Sequence, residues 1–67
     1  MNFKVEVERE DDGRWIAEVN ELPGVLVYGE SPEKAQAKAQ ALALRVLADR
    51  LENGEALSFE SVSFAAA

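Results

Sequence analysis

The sequence predicts an α+β fold of order β-β-β-α-β, in which a four-stranded mixed sheet carries one long helix packed on one face. Apolar and polar residues alternate near the N-terminus, as in a strand with one buried face. A turn at Pro23-Gly24 and a helix start at Ser31-Pro32 then divide the chain. From there to Gly54 the sequence is rich in Ala, Leu, Gln and Lys and has no internal Gly or Pro, which indicates a helix.

Length and composition limit the classes of function. The 67 residues allow a single domain, residues 1–67, and Cys and His are both absent. Domains of this size seldom gain more than ~3–5 kcal/mol from one core, so we expect a homo-oligomer, either a dimer or a tetramer. The net charge of −6 disfavours direct binding of nucleic acid and suits a basic protein partner. We expect no cofactor, no membrane span and no signal peptide, hence a cytoplasmic protein.

The first two strands form a predicted hairpin. Residues 2–8 alternate in character, Asp11-Asp12-Gly13 has turn chemistry, and residues 15–19 resume an extended pattern. The predicted core face consists of Phe3, Val5, Val7, Trp15, Ala17 and Val19. The opposite face carries Glu6, Glu8, Ile16 and Glu18.

The second half of the chain supplies a strand, the helix and a last strand. Leu22-Pro23-Gly24 predicts a type II turn, and residues 25–28 are apolar on both faces and too short for a helix before Gly29. The helix is predicted over residues 32–53. A fourth extended segment contains Leu57, Phe59, Val62 and Phe64, with a slip in alternation near Ser61 that indicates either a bulge or a frayed end.

The connections predict the order of the strands. Tight turns make the first three strands antiparallel, and a right-handed crossover through the helix places strand 4 parallel to strand 1. The predicted order is therefore 3-2-1-4. Strand 4 beside strand 3 is the alternative.

Two surfaces have more apolar character than one small core needs. The helix carries one apolar stripe for the sheet and a second one that includes Leu44 and Leu51, and strand 3 lacks charged residues that would discourage pairing at a sheet edge. The candidate oligomer interface therefore contains Leu44, Leu51, Val25 and Val27. Alternatively, the alanines serve only helix formation and strand 3 is shielded by its loop. On the free sheet face, acids surround a small apolar centre, so the candidate partner-binding residues are Glu6, Glu8, Ile16, Glu18, Leu26 and Tyr28.

Catalytic arrangements are largely excluded by composition. Without His or Cys, the serines have no evident base to activate them, and Ser31 is explained as a helix cap. The acids Glu10, Asp11 and Asp12 are typical of a solvated hairpin tip rather than a calcium loop. No catalytic and no metal-binding residue is predicted.

The segments Trp15-Ile16-Ala17-Glu18-Val19, Glu21-Leu22-Pro23-Gly24-Val25 and Gly29-Glu30-Ser31-Pro32-Glu33-Lys34-Ala35, followed by an Ala/Leu-rich helix, resemble the HicB antitoxin family and its small HicB-like relatives. The resemblance covers nearly the whole chain. It implies a partial ribonuclease H-like fold and binding of a small basic HicA-type toxin that degrades messenger RNA. Many HicB-like sequences have Cys at the position of Val25. Full antitoxins of this family also have a DNA-binding domain; we expect none in these 67 residues, and hence no direct repression of an operon.

The ribonuclease H likeness raises an enzyme hypothesis, in which Glu6, Glu33 and Glu60 would hold two metal ions. A structural role explains these residues better, because Glu6 belongs to a wet strand face, Glu33 favours the helix dipole and Glu60 is an exposed acid. The sequence therefore favours a non-enzymatic, antitoxin-like binding module. The alternative is an orphan structural domain that only associates with itself.

Overall fold

The computed structural model describes residues 1–56 and 58–67, and within them the chain forms four strands and one helix. The elements are β1 (Asn2–Arg9), β2 (Trp15–Glu18), β3 (Leu26–Gly29), α1 (Pro32–Glu52) and β4 (Ser63–Ala66). The predicted order β-β-β-α-β is confirmed. Leu57, which was predicted in the last strand, lies outside the described residues.

The sheet has the order β3-β2-β1-β4, as predicted. The pairs β1/β2 and β2/β3 are antiparallel, and β1/β4 is parallel. The connection through α1 therefore passes over the sheet and returns the chain beside β1 rather than beside β3. This leaves β3 and β4 at the two edges of the sheet.

The turn between β2 and β3 is built as the sequence predicts. The Val25 N–H donates a hydrogen bond to the Leu22 carbonyl at 3.1 Å, which closes a four-residue turn. Gly24 has φ 91°, the left-handed conformation that the third position of a type II turn requires. The Val25 carbonyl accepts from the Val19 N–H at 3.0 Å, so both backbone groups of Val25 are already used. As a result β3 begins at Leu26, one residue later than predicted.

The last strand is shorter than predicted and shifted towards the C-terminus. It covers Ser63–Ala66, so Phe59 and Val62 precede it, although both pack against the core. Backbone hydrogen bonds to β1 define the strand, with Ser63 N–H donating to Met1 O at 2.9 Å. Phe64 pairs with Phe3 in the register, and their ring centroids are 5.8 Å apart. Two of the four residues of β4 are alanines, so this strand lacks the alternation of apolar and polar residues by which a strand is predicted from sequence.

Both ends of α1 are capped by local residues. The Ser31 hydroxyl accepts a hydrogen bond from the Lys34 N–H at 3.1 Å, and Pro32 occupies the first turn, where its missing N–H costs nothing. At the other end, the Glu55 N–H donates to Arg50 O at 2.8 Å and the Gly54 N–H donates to Leu51 O at 3.3 Å. This pair of hydrogen bonds is a Schellman motif. The helix ends at Glu52 rather than at residue 53, because Asn53 is the cap.

The core lies between α1 and one face of the sheet. From the predicted core face, Phe3, Val5, Ala17 and Val19 are buried, while Val7 and Trp15 are partly buried against them. The helix contributes a line of residues spaced by four, and the turn before β3 adds two more side chains. These additional buried residues are Ala35, Ala39, Ala43, Leu47, Leu22 and Val25.

The start of α1 lies unusually close to the end of β3. A Cβ atom placed on Gly29, which is buried, would lie 2.5 Å from the Ala35 backbone nitrogen and 2.8 Å from the Ala35 Cα. Such distances are well inside van der Waals contact. Gly29 is therefore required by the packing of the helix on the strand.

We predict that Gly29→Ala lowers the free energy of unfolding by about 1–3 kcal/mol, because the added methyl group overpacks a contact made by backbone atoms. Urea denaturation monitored by circular dichroism measures this change. The neighbouring Glu30→Ala is a suitable control, since Glu30 is exposed and should change stability by no more than about 0.5 kcal/mol. Equal stability of Gly29→Ala and the wild-type chain would contradict the assigned role of Gly29.

Candidate protein-binding surface

The face of the sheet opposite α1 presents an ordered set of side chains. Because Phe3, Val5 and Ala17 point to the helix side, their even-numbered neighbours point the other way. The strand registers align these neighbours in two rows, one of Glu6, Glu18 and Leu26 and the other of Glu8, Ile16 and Tyr28. We call these six residues the free sheet face. The structure thus brings together all six residues predicted for partner binding.

Acidic and apolar side chains occupy different parts of the free sheet face. The acids lie on β1 and at one position of β2, whereas Leu26 and Tyr28 lie on the edge strand β3 with 46% and 40% of their surface exposed. Ile16 is half-buried between the two zones. Glu6 and Glu18 stand directly opposite each other across β1 and β2. Like charges at this spacing, roughly 4.5–5.5 Å between Cβ atoms, repel each other, and a cation placed between them relieves the repulsion.

The tip of the first hairpin extends the free sheet face beyond Tyr28. The Arg14 guanidinium lies 4.3 Å from the centre of the Tyr28 ring, a cation–π contact, and its Nε donates to Asp12 Oδ2 at 2.7 Å. A shallow cavity of about 240 Å³ lies here, lined by Glu10, Asp11, Asp12, Arg14 and Tyr28. Arg14 was not predicted as a site residue. Only the register that places Ile16 opposite Tyr28 brings Arg14 within reach of that ring.

Arg14 also changes the acidity of Asp12. The Arg14 backbone N–H donates to Asp12 Oδ1 at 3.0 Å, and the side-chain hydrogen bond adds to it. Together these hydrogen bonds, the backbone one first, hold the pKa of the Asp12 carboxyl below its ordinary value. The Asp12 carboxyl therefore loses its proton at a lower pH than an unperturbed aspartate does.

The edge strand β3 is less open than the sequence indicated. Since Val19 N–H donates to Val25 O, the alternation of an antiparallel ladder turns the backbone groups of Leu26 and Tyr28 outward. Lys38 Nζ of α1 donates to the outward Tyr28 carbonyl at 3.3 Å. A basic side chain on an edge strand discourages pairing with another strand.

The four residues predicted for an oligomer interface differ in their exposure. Val25 is 2% exposed and both of its backbone groups are bonded, which leaves little of it for contact with another chain, and Val27 packs partly against the core. Leu44 and Leu51 are 50% and 40% exposed, as expected. Lys38, which contacts β3, shows which flank of α1 faces that strand. With 100° between successive residues, Leu44 and Leu51 lie on the opposite flank of the helix. The four residues therefore do not form one surface.

The carboxylates considered for catalysis are not brought together. Glu6 lies on the free sheet face, whereas Glu33 lies in the first turn of α1, on the other side of the sheet. Among residues 1–56 and 58–67, no three acidic side chains are placed to hold a metal ion. In the same residues, no helix has the length and apolar character needed to cross a membrane.

The fold and this surface define a class: a small α+β protein with one helix on a four-stranded mixed sheet and an acidic, partly apolar free face. Comparison with protein-family models, curated proteins and solved structures finds no match to the chain. The assignment of function therefore depends on the surface itself and on the resemblance described above.

We predict that Asp12 titrates below its ordinary pKa of 3.8, and that Arg14→Gln raises the Asp12 pKa only part of the way back. The rise is partial because the residue-14 backbone N–H still donates to the carboxylate. A depressed pKa in the folded chain means that this interaction stabilises the fold above the ordinary pKa and is lost as the pH falls through the folded value. Carboxyl chemical shifts followed by NMR between neutral and acid pH provide the measurement. An Asp12 that titrates normally would show that the contact with Arg14 is absent in solution.

Proposed function

We propose that this chain is a non-enzymatic protein-binding module that covers a small basic protein with its free sheet face. The observation that supports the proposal most directly is the opposition of Glu6 and Glu18 next to the exposed Leu26 and Tyr28. Repelling carboxylates attract a cation, and exposed apolar side chains favour burial. A basic protein with an apolar patch satisfies both.

The surface contains both kinds of residue that protein interfaces use, but they lie side by side, with the acids on β1 and β2 and the apolar residues towards the edge strand β3. Such interfaces place aromatic and aliphatic anchors in a dehydrated centre and charged residues around them. Here Ile16, Leu26 and Tyr28 provide a connected apolar zone, and Arg14 holds the Tyr28 ring in place before any partner arrives. Pre-orientation of the anchor lowers the entropic cost of binding.

The net charge of −6 acts at longer range. It steers a basic partner towards the chain and raises the association rate, especially at low ionic strength. It also repels the phosphate backbone of nucleic acids, which fits a partner that is a protein rather than an RNA.

The resemblance to the HicB family gives this partner a specific form. On that basis the partner is a HicA-type toxin, and the chain acts as an antitoxin that neutralises it. The proposal places the chain in the cytoplasm, where such a toxin meets messenger RNA. The free sheet face would cover the basic surface that the toxin uses to bind RNA.

Co-expression tests the proposal. A HicA-type toxin encoded beside the gene for this chain should co-purify with the tagged chain, and growth arrested by the toxin should recover. The double variant Glu8→Lys/Glu18→Lys should weaken binding by about tenfold or more in calorimetry, because two attractive carboxylates become repulsive cations.

A matched control has the same change in charge on a different surface. Glu55→Lys/Glu60→Lys alters two exposed acids that do not belong to the free sheet face and should leave binding within about threefold. Equal losses in both double variants would mean that only the overall charge matters. Failure of the wild-type chain to capture the toxin or to restore growth would refute the antitoxin role.

The second candidate function is a structural domain that only associates with itself. The exposed Leu44 and Leu51 favour it, since neither belongs to the free sheet face. A chain that forms oligomers but captures no basic protein would support this alternative.

A further inference from the structure

The outer side of α1 carries a regular pattern that the core does not use. Five apolar residues follow one another at intervals of four, three, four and three, which is the heptad spacing of paired helices. The buried line of α1 is different, because its members are spaced by four throughout. We call the outer set the outer seam, and it consists of Ala37, Ala41, Leu44, Ala48 and Leu51.

The outer seam points away from the sheet. At 100° per residue, its centre lies about 140° around the helix axis from the buried line. Leu44 and Leu51 are 50% and 40% exposed, Ala37 and Ala48 are exposed, and Ala41 is half-buried. A continuous apolar stripe on the outer side of a folded helix thus lacks a covering surface within the described residues.

The distribution of charge favours a second copy of the chain as the covering surface. Helix α1 contains four basic and three acidic residues, a net charge of +1, whereas the whole chain carries −6. Two copies therefore repel each other strongly through most of their surface and only weakly through their helices. The free sheet face, with three acids among its six residues, repels a second copy in the same way.

We propose that two copies of the chain dimerise through their outer seams, with the two α1 helices antiparallel. A two-fold axis at the middle of the helix, between residues 42 and 43, puts Leu44 against Ala41 of the second copy and Ala37 against Ala48 of the second copy. Leu44 then packs over a small residue in both directions, and the Ala37–Ala48 pairs are small on both sides, which lets the helices approach closely. The sheets lie on the two outer sides of the dimer.

The same register matches charges at both ends of the helix pair. Lys34 lies beside Glu52 of the second copy, and the two-fold axis repeats this ion pair at the other end. The stem of Lys34 covers Leu51 of the second copy while its ammonium reaches the carboxylate. Among residues 1–56 and 58–67 of the single chain, the ion pair of Lys34 is with Glu30, at 3.4 Å and with both side chains exposed. A parallel pairing would instead oppose Lys34 to Lys34 and bring like charges together.

The sheet makes a short helix pair feasible. A helix of 21 residues is about 31 Å long at 1.5 Å per residue and offers three heptads, which are marginal for isolated peptides. Here α1 is already folded and capped on its own sheet, so association does not have to order it.

Charge reversal tests the register. Lys34→Glu and Glu52→Lys should each weaken self-association by about tenfold or more in sedimentation velocity, because two attractive pairs become repulsive. An equimolar mixture of the two variants should recover the wild-type affinity, since the mixed dimer again pairs opposite charges at both ends. Absence of recovery in the mixture would refute the register.

Cysteine cross-linking tests the direction of the helices, and the absence of native Cys makes it unambiguous. Under oxidation, a mixture of Ala37→Cys and Ala48→Cys chains should form a mixed disulfide dimer. Neither variant should cross-link to itself, because the sulfur atoms of the two copies lie about 16 Å apart along the antiparallel pair at 1.5 Å per residue. The opposite pattern, with each variant linking to itself, would establish parallel helices and overturn the proposal.

The seam itself is tested by two leucines of similar exposure. Leu44→Glu should abolish the dimer, whereas Leu26→Glu on the free sheet face should leave it intact, and unchanged circular dichroism confirms that both variants fold. A wild-type chain that remains monomeric, or equal effects of the two variants, would refute the dimer. Because these experiments include no basic partner, their outcome is independent of the function proposed above.

Discussion

The structure depends on close contact between the alanines of α1 and the sheet. Ala35, Ala39 and Ala43 are fully buried, and Gly29 has no side chain where the helix begins, so the backbone of α1 approaches the strands closely. Such a core is thin, and its larger side chains come from the sheet, from the turn before β3 and from Leu47. Leucines on the outer half of the helix cannot reach it. The exposed apolar surface of this chain therefore results from how its core is packed.

The two exposed surfaces differ in charge and lie back to back. On the free sheet face Glu6 and Glu18 lie opposite each other and attract positive charge, whereas α1 carries a net charge of +1 and repels its own copy only weakly. Because α1 lies between the sheet and the outer seam, a basic protein on the sheet and a second chain on the helix would not compete. In the proposed dimer, both free sheet faces point outward. Such a particle has two binding faces, and avidity can increase its hold on a partner that is itself multimeric.

Local signals were sufficient to predict most of the fold. Alternation in residues 2–8, the turn at Gly24 and the Ser31 cap each specify backbone geometry within a few residues, and crossover handedness then limits the strand order. The predicted bounds of β3 and β4 were wrong, because the residues there fit more than one local structure equally well. Residues 25–28 are apolar on both faces of the strand, so the alternation of apolar and polar residues gives no information about Val25. It could not show that the backbone of Val25 belongs to the turn and that its side chain is buried in the core. The alanines of β4 likewise carry no alternation, and only pairing with β1 defines them.

Contacts between distant elements explain what sequence reasoning missed at the site. The alternation of apolar and polar residues is enough to predict the six residues of the free sheet face. It cannot predict which residues surround Tyr28, because these depend on the strand register and on the rotation of α1 about its axis. Arg14 lies over the Tyr28 ring, and Lys38 bonds its outward carbonyl. An added strand would have to displace Lys38 and would find outward backbone groups only at Leu26 and Tyr28. A partner at this edge gains more from the side chains of Leu26 and Tyr28 than from backbone pairing, which favours binding across the face rather than extension of the sheet.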